Sequence, residues 1–330
     1  MDTGKSIGSG QRTHDQSEEP VVLAFDVGGT RVKAGVVQGS NVSSLLIEPL
    51  DEREGAEGIL SSIIRIGRQL IAEHTVTAVG ISIKGIVDPH RGTIRDVKEA
   101  LASCIGEPIA ERLAYEFRLP TVLENDARMY TLGELLYGAG RTANNLVCLT
   151  LGTGVGSGVA LERRILRGPR GISGILGGHI TVQTNGPRCT CGNIGCLEAL
   201  IGTAALVQEA TIALATGRYS SLRDGQLTPR HIFAASASGD KVACELVQRF
   251  AELLGAGIVS LVHTYDPDLV VLGGGMIGAA EQFLPSVQSY VTAHIWTLPG
   301  RRVEVVAAEL GDAAALVGVA AFAGGFDAFL

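Results

Sequence analysis

The chain has 330 residues, a formal net charge of −7 at pH 7 and 46% hydrophobic residues. This length allows two domains or one domain in two lobes, and the apolar content argues against a disordered chain. The acidic balance disfavours a general nucleic-acid or membrane-surface binder, so we expect neither nucleic acid nor a membrane as a partner.

Residues 1–20 are polar and lack the apolar centre of a secretory signal. They predict a flexible N-terminal tail and a cytoplasmic protein. Thiols stay reduced in the cytoplasm, so cysteines that cluster in this sequence indicate a metal site rather than disulfides.

The first predicted elements lie in "VVLAFDVGGTRVKAGVV", residues 21–37, which predicts a strand, a glycine turn and a second strand. Asp26 lies at the strand end, where its carboxylate could hold Mg²⁺ directly or through water. Gly28, Gly29 and Thr30 leave backbone N–H groups able to contact phosphate oxygens. Taken alone, this hairpin fits an ordinary turn equally well.

The next candidate site residue is a carboxylate at the predicted junction of the two lobes. Residues 55–74 predict an amphipathic helix, residues 77–83 a strand and residues 108–117 a helix. In "LENDAR", Asp126 then follows a strand where a cleft would open. Phosphoryl transfer needs a carboxylate to accept the proton of the attacking hydroxyl, which makes Asp126 the candidate base. Asn125 and Asp126 equally fit a helix N-cap, so this alternative stays open.

A second glycine hairpin, "LVCLTLGTGVGSGVAL" at residues 146–161, repeats the pattern of the first. Two hairpins of one kind predict two related lobes. With "DLVVLGGG" at residues 268–275, three glycine turns follow strands and could line a cleft for a nucleotide. The candidate nucleotide-binding residues of the later two turns are Gly152, Thr153, Gly154, Gly273, Gly274 and Gly275. Neither a Walker P-loop nor a Rossmann GxGxxG occurs.

A basic run, "RRILRGPR" at residues 163–170, departs from the acidic balance of the chain. Such runs are commonly solvated, so we expect the tip of a surface hairpin. Binding of a polyanion is the alternative interpretation.

One histidine and three cysteines lie close together in the sequence: His179, Cys189, Cys191 and Cys196. They form the Cys₃His set of a closed tetrahedral zinc site, which leaves no position for water and therefore predicts a structural ion. The C-x-C and C-x₄-C spacings exclude a redox CxxC motif.

The remaining elements continue the alternation of helices and strands. Residues 204–217, 240–265 and 285–296 predict helices, residues 302–308 predict a strand, and a last helix begins after "GD" at residue 312. The alternation predicts an α/β fold. We expect an N-terminal lobe of residues 21–124 plus 312–330, and a C-terminal lobe of residues 125–311 with a zinc loop at 179–196.

Together these blocks resemble the ROK family of bacterial sugar kinases and sugar-responsive repressors. The resemblance rests on "DVGGT", "ENDA", "LGTGVG", the histidine and cysteine signature, "GGG" and "LGDAA", which occur in order between Val21 and Phe322. It implies a two-lobed actin/hexokinase-like (ribonuclease H-like) fold with an interlobe cleft. It also implies a structural zinc, ATP- and Mg²⁺-dependent phosphorylation of a sugar hydroxyl, and a homodimer or homotetramer.

The resemblance also assigns roles to residues. Asp126 is similar to the catalytic base, while Asn125, His179, Glu198 and Gly85 are similar to residues that bind the sugar. Repressors of this family carry a DNA-binding domain before DxGGT. Here 25 residues precede Asp26 and show no helix-turn-helix pattern, so a kinase is favoured.

Three departures from the family pattern concern the sugar pocket. The family usually has AGExGH before the zinc signature, whereas "GILGGH" places Leu176 where that glutamate belongs. A Pro-Gly pair usually follows the third strand, whereas Lys84 precedes Gly85 here. An Asn-Leu pair that often holds sugar is also not evident in residues 95–104. Two alternatives therefore stay open: a sugar-binding sensor without turnover, and a kinase that uses polyphosphate.

Overall fold

The computed structural model describes residues 19–51 and 53–329. Residues 1–18, most of the predicted flexible tail, lie outside this range.

The first half of the described chain builds a mixed five-stranded sheet, here called the N-terminal sheet. Its spatial order is β3-β2-β1-β4-β7, with β1, β4 and β7 parallel and β2 antiparallel to both of its neighbours. The elements in chain order are β1 (Val22–Val27), β2 (Arg31–Gln38), β3 (Asn41–Pro49), α1 (Gly55–Ile71), β4 (Ala78–Ile83), the hairpin β5 (Ile86–Asp88) and β6 (Thr93–Asp96), α2 (Ile109–Phe117) and β7 (Thr121–Asn125).

The second half repeats this topology in the C-terminal sheet, whose order is β10-β9-β8-β11-β12. Strands β8, β11 and β12 are parallel, and β9 is antiparallel to its two neighbours. The elements are α3 (Asp126–Tyr137), β8 (Leu146–Leu151), β9 (Val155–Leu161), β10 (Arg164–Ile165), α4 (Leu197–Ile201), α5 (Thr203–Ala215), α6 (Pro229–Ala237), α7 (Lys241–Tyr265), β11 (Leu269–Gly273), α8 (Ala280–His294), β12 (Glu304–Ala307) and α9 (Ala314–Ala323).

The predicted α/β class is therefore confirmed, and the duplicated hairpins do belong to two sheets of one topology. Each sheet is mixed because a glycine turn of a few residues can join only antiparallel strands. Strand β4 is buried at all six positions, as a strand covered on both faces must be. Among the described helices, none is long and apolar enough to cross a membrane.

Helices α3 and α9 connect the two sheets. Helix α9 packs on β1 and β4, whereas α3 packs on β8 and β9, and the two helices pack on each other. A side chain at Gly133 or Gly318 would collide with the backbone of the opposite helix. Glycine is thus required at this crossing, since it alone lets two helix backbones come so close.

Candidate active site

The carboxyl ends of three neighbouring parallel strands form the edge on which the candidate site lies. Val27 of β1 pairs with Ile83 of β4, and Ile83 pairs with Asn125 of β7. Because these strands run in the same direction, the glycine hairpin after β1, the turn after β4 and the start of α3 after β7 lie side by side. Ligands of open α/β sheets bind at such edges.

Asp126 is the first residue of α3 and is half-buried. Its Oδ1 accepts hydrogen bonds from Asn125 Nδ2 at 3.0 Å and from the N–H of Ala127 at 2.9 Å. Burial, followed by the charge of Asp26, raises the pKa of Asp126 to about 6, although the Ala127 N–H and the Lys84 charge oppose this shift. The carboxylate is mostly ionised at pH 7 and has the basicity that a general base needs.

The helix-cap function falls to Asn125. Its Oδ1 accepts the N–H of Arg128 at 3.1 Å, and its Nδ2 donates to the carbonyl of Gly85 at 2.9 Å as well as to Asp126. Both amide hydrogens of this buried side chain are thus engaged by the protein. Asn125 orients Asp126 and ties it to the turn after β4, while its contact with sugar stays a prediction.

A buried ion network, which the sequence patterns did not predict, holds the first turn of α3. Glu124 and Arg128 are fully buried and 2.9 Å apart, and Arg167 Nη2 donates to the other oxygen of Glu124 at 2.6 Å. Arg128 also donates to the carbonyls of Gly171 and Ser173. Removing one member would leave a buried charge without its partner, so this network fixes the chain on either side of Asp126.

The carboxylate of Asp26 lies on β1 opposite Lys33 of β2. Its Oδ1 accepts from Ser82 Oγ at 3.2 Å, and its Oδ2 is 3.5 Å from Lys33 Nζ, which in turn lies 3.4 Å from Asp312. Burial raises the pKa of Asp26 despite Lys33. The hairpin register could have identified Lys33, whereas Asp312 comes from 286 positions further along the chain.

The glycine turns divide into two groups. Around Gly29, Gly152 and Gly275, no atom of the described residues, apart from the adjacent ones, lies within 4 Å of the position that a Cβ would take, so a ligand can approach the backbone there. At Gly154 and Gly273 a Cβ would instead collide with the side chains of Glu198 and Tyr130 respectively, so packing favours glycine there. Three exposed backbone turns fit a nucleotide that carries phosphates.

Two further predicted residues, Gly274 and Gly28, have contacts within the protein. Gly274 has a φ of +85° and would place a Cβ 2.5 Å from the carbonyl of Leu151, so packing requires glycine. Gly28 donates its N–H to the carbonyl of Arg31, which closes the first turn, so the expected contact of this N–H with phosphate is not supported. Thr30 and Thr153 lie in the first two turns.

The four predicted zinc ligands come together. The ligand atoms of His179, Cys189, Cys191 and Cys196 all lie within 4.8 Å of one another. His179 Nδ1 is 3.6 Å from Cys189 Sγ, and the sulfurs of Cys191 and Cys196 are 3.7 Å apart. The predicted Cys₃His cluster is therefore confirmed, and its donor set fits zinc, which binds thiolate and imidazole tetrahedrally.

Purified protein that has never met a chelator should contain one zinc ion per chain. Cys191→Ser should lose the ion and melt at a lower temperature, because the binding energy of a structural zinc is folding energy. Elemental analysis and thermal melting measure both effects. The control is Cys244→Ser, an exposed cysteine outside the cluster. Zinc far below one equivalent, or full retention in Cys191→Ser, would contradict this assignment.

Glu198 links the zinc loop to the second glycine hairpin. Its Oε2 accepts the N–H of Val155 at 3.0 Å, and its Oε1 lies 4.0 Å from His179 Nδ1. Both side chains keep part of their surface exposed, 29% for His179 and 22% for Glu198. His179 and Glu198 can therefore contact a ligand while they keep these contacts within the protein.

The segment before His179 contains the residue that departs from the family pattern. Ser157 Oγ accepts the N–H of Gly177 and donates to the carbonyl of Gly174, which fixes this segment on β9. Leu176 precedes a short 3₁₀ helix, Gly177–His179, and is 41% exposed. The sequence has no acidic residue between Glu162 and Glu198. A shift of the segment by one or two residues therefore cannot supply the missing carboxylate.

The predicted solvated tip at residues 163–170 holds only in part: Arg163 lies in the β9–β10 turn and Arg170 is exposed, but three of the arginines have partners within the protein. Arg163 donates to the carbonyls of Leu135, Arg141 and Ala143, and Arg164 pairs with Asp327. Arg167 pairs with Glu124, and its guanidinium stacks on Phe329 at 3.3 Å. These arginines hold α3 and the C-terminal segment together because carbonyls and carboxylates from distant parts of the chain converge on them.

Comparison with known proteins agrees with this architecture. The sequence model of the ROK family matches residues 22–325. The chain is 31% identical to a glucokinase of Streptomyces coelicolor, with 91% of this chain and 96% of that protein covered. The ROK hexokinase from Thermus thermophilus has 34% identity and a TM-score of 0.75, with 92% of this chain and 97% of that chain covered.

A ROK family glucokinase from Streptomyces griseus, solved in complex with glucose and AMPPNP, is similar as well. It has 32% identity and a TM-score of 0.80, with 92% of this chain and 99% of that chain covered. Two mixed sheets of one topology with glycine hairpins define a protein of the actin and hexokinase class. More narrowly, the chain belongs to the ROK family, and it is an ATP-dependent sugar kinase.

Proposed function

We propose that the protein transfers the γ-phosphoryl group of ATP to a hydroxyl of a hexose, a hexosamine or a related polyol, with Asp126 as general base. The position of Asp126 carries this proposal. It lies at the strand edge next to the glycine hairpin, its pKa is raised to about 6, and its neighbour Asn125 takes over the helix cap. The homologue from Streptomyces griseus was solved with glucose and AMPPNP, which supports a sugar acceptor and an adenine-nucleotide donor here.

The residues around Asp126 would bind Mg²⁺, the nucleotide and the sugar. Asp26 would hold Mg²⁺, directly or through water, and the ion would neutralise charge on the phosphates of ATP. Gly29, Gly152 and Gly275 offer backbone surface to the nucleotide. His179 and Glu198 would contact sugar hydroxyls, and the Cys₃His zinc would fix the loop that carries His179.

The sugar pocket favours an acceptor that differs from glucose at one edge. Leu176 cannot accept a hydrogen bond, and a hydroxyl desolvated against a leucine side chain loses its partner. We therefore expect the acceptor to place an apolar, deoxy or acyl-bearing edge near Leu176.

The two alternatives depend on different features of the chain. Leu176 is the feature that favours a sensor without turnover. The kinase that uses polyphosphate depended on the arginines of residues 163–170, and Arg163, Arg164 and Arg167 have partners within the protein.

A screen for ADP release across hexoses, aminosugars, N-acyl sugars, cyclitols and sugar acids, with ATP and Mg²⁺, tests the proposed function. Turnover of at least one acceptor is the expected result. Parallel reactions with polyphosphate and detection of the sugar phosphate test the other donor. Sugar binding by calorimetry without turnover from either donor would contradict the proposal and favour a sensor.

A further inference from the structure

Lys84 is the first residue after β4, the central strand of the three whose carboxyl ends form the site edge. It directly follows Ile83, which pairs with Val27 of β1 on one side and with Asn125 of β7 on the other. Neighbouring strands lie about 4.8 Å apart. Lys84 therefore lies between the glycine hairpin on β1, which faces the phosphates in our proposal, and Asp126, which faces the acceptor hydroxyl.

The backbone at this position is fixed. The N–H of Lys84 donates to the carbonyl of Val27 at 3.3 Å, and the carbonyl of Gly85 accepts from Asn125 Nδ2 at 2.9 Å. Gly85 has a φ of +121°, and a Cβ there would lie 2.8 Å from the carbonyl of Asp96. The backbone on both sides of the half-buried Lys84 side chain is therefore held in place.

The charges around Lys84 support a function in the reaction. Lys33, the buried ammonium of the neighbouring hairpin, lies within 3.5 Å of both Asp26 and Asp312. The charge of Lys84 lowers the pKa of Asp126, so the ammonium group is near the proposed base. In our proposal the transferring phosphoryl group passes between the glycine hairpin and Asp126, and the backbone of Lys84 lies between these two segments.

We propose that the Lys84 ammonium contacts the transferring phosphoryl group and stabilises the charge on its oxygens, an inference that rests on the proposed function. In this step the bond between the γ-phosphorus and the β–γ bridging oxygen breaks, and its electron pair leaves on ADP. A bond forms from the sugar oxygen to phosphorus, and the hydroxyl proton passes to Asp126. Such stabilisation by a fixed cation is the main catalytic device in phosphoryl transfer.

The competing explanation is recognition of an anionic group on the acceptor. The family pattern has an uncharged proline before Gly85, where this chain has Lys84. Contact with the phosphoryl group and recognition of an anionic acceptor would therefore each be a property of this chain. The backbone position of Lys84 between the hairpin and the base favours a contact with the phosphoryl group, because this contact requires no acidic acceptor.

Lys84→Met removes the charge and keeps the length of the side chain, and Lys84→Arg restores a cation. The matched control is Lys98→Met, an exposed lysine in the next segment of the chain. Steady-state kinetics give kcat and KM for the best sugar and for ATP, and calorimetry with Mg²⁺ gives the affinities for AMP-PNP and for ADP. Thermal melting establishes that each variant is folded.

We expect Lys84→Met to lower kcat by about 10²-fold, with sugar KM changed by less than about threefold. The wild type should bind AMP-PNP about tenfold more tightly than ADP, and Lys84→Met should lose this preference because the contact with the γ-phosphate is gone. Lys84→Arg should recover most of both quantities, and Lys98→Met should behave as wild type.

Two results would overturn the proposal. One is a normal kcat in Lys84→Met with a raised KM for acidic acceptors alone, which would make Lys84 an acceptor-recognition residue. The other is an unchanged ratio of the AMP-PNP and ADP affinities. A wild type without turnover on any sugar would contradict the proposed function instead, and the affinity ratio would still decide the contact of Lys84.

Discussion

Asp126→Asn should lower kcat by at least about 10²-fold, while the protein still folds and binds nucleotide. Asparagine keeps the size of the side chain and its hydrogen bond from the Ala127 N–H, but it cannot accept the proton of the attacking hydroxyl. Steady-state kinetics on the best acceptor measure the loss. The control is Glu111→Gln, an exposed acidic residue in the first turn of α2. A kcat near that of the wild type would show that Asp126 is only a structural residue of α3.

The pH dependence of stability tests the raised pKa of Asp126 independently of activity. The raised pKa of Asp126, about 6 against a usual 3.8, means that the folded state binds a proton more tightly than the unfolded chain does. Stability is therefore lost as pH rises from about 4 to 6, by as much as about 3 kcal/mol at neutral pH. A neutral asparagine avoids this loss, so the variant should be as stable as the wild type or more stable. In the wild type, kcat/KM should fall on the acid side with an apparent pKa of about 6.

Local patterns predicted the parts of the molecule that depend on neighbours in sequence. Each glycine hairpin brings together strands that a turn of a few residues connects, and the zinc ligands from Cys189 to Cys196 lie within eight positions. In both cases turn chemistry and ligand type determine the structure locally. The edge strand β3, the hairpin β5–β6 and helix α6 were not predicted, since their apolar residues are too few or too irregular to show a clear period.

Long-range charge pairing could not be predicted in the same way. Arg167 meets Glu124 across 43 positions, and Lys33 meets Asp312 across 279. A charge run is typical of a solvated surface unless partners converge on it, and only the fold brings these partners together. Helix α8 shows another limit: it begins at Ala280, five residues before the proline that was expected to start it.

The candidate site shows how the two kinds of information combine. Sequence motifs identified Asp26, Asp126 and the zinc ligands, because each residue type has a chemistry that its position serves. The structure added the contacts that set their properties, such as the Ser82 and Lys33 contacts of Asp26 and the cap by Asn125. The division of roles at Asn125 and Asp126 required these contacts, since both residues fit an N-cap by type.

Glucose should be a poor substrate of the wild type, and Leu176→Glu should improve its use. A carboxylate that accepts hydrogen bonds from sugar hydroxyls contributes about 1.5–3 kcal/mol per charged bond, or roughly 10- to 150-fold in affinity. Leu176 cannot supply this interaction. Glu198 is held by the Val155 N–H, and no other acidic residue occurs between positions 162 and 198.

Steady-state kinetics with glucose and ATP on wild type and Leu176→Glu should therefore show kcat/KM rising by about 10-fold or more in the variant. The rise in kcat/KM should come mainly from a lower KM for glucose, because the new carboxylate binds the hydroxyls in the ground state and the transition state alike. Leu298→Glu, at a leucine that is 72% exposed, controls for the added charge alone. Tight and fast use of glucose by the wild type, or an unchanged variant, would mean that His179 and Glu198 suffice to bind the sugar.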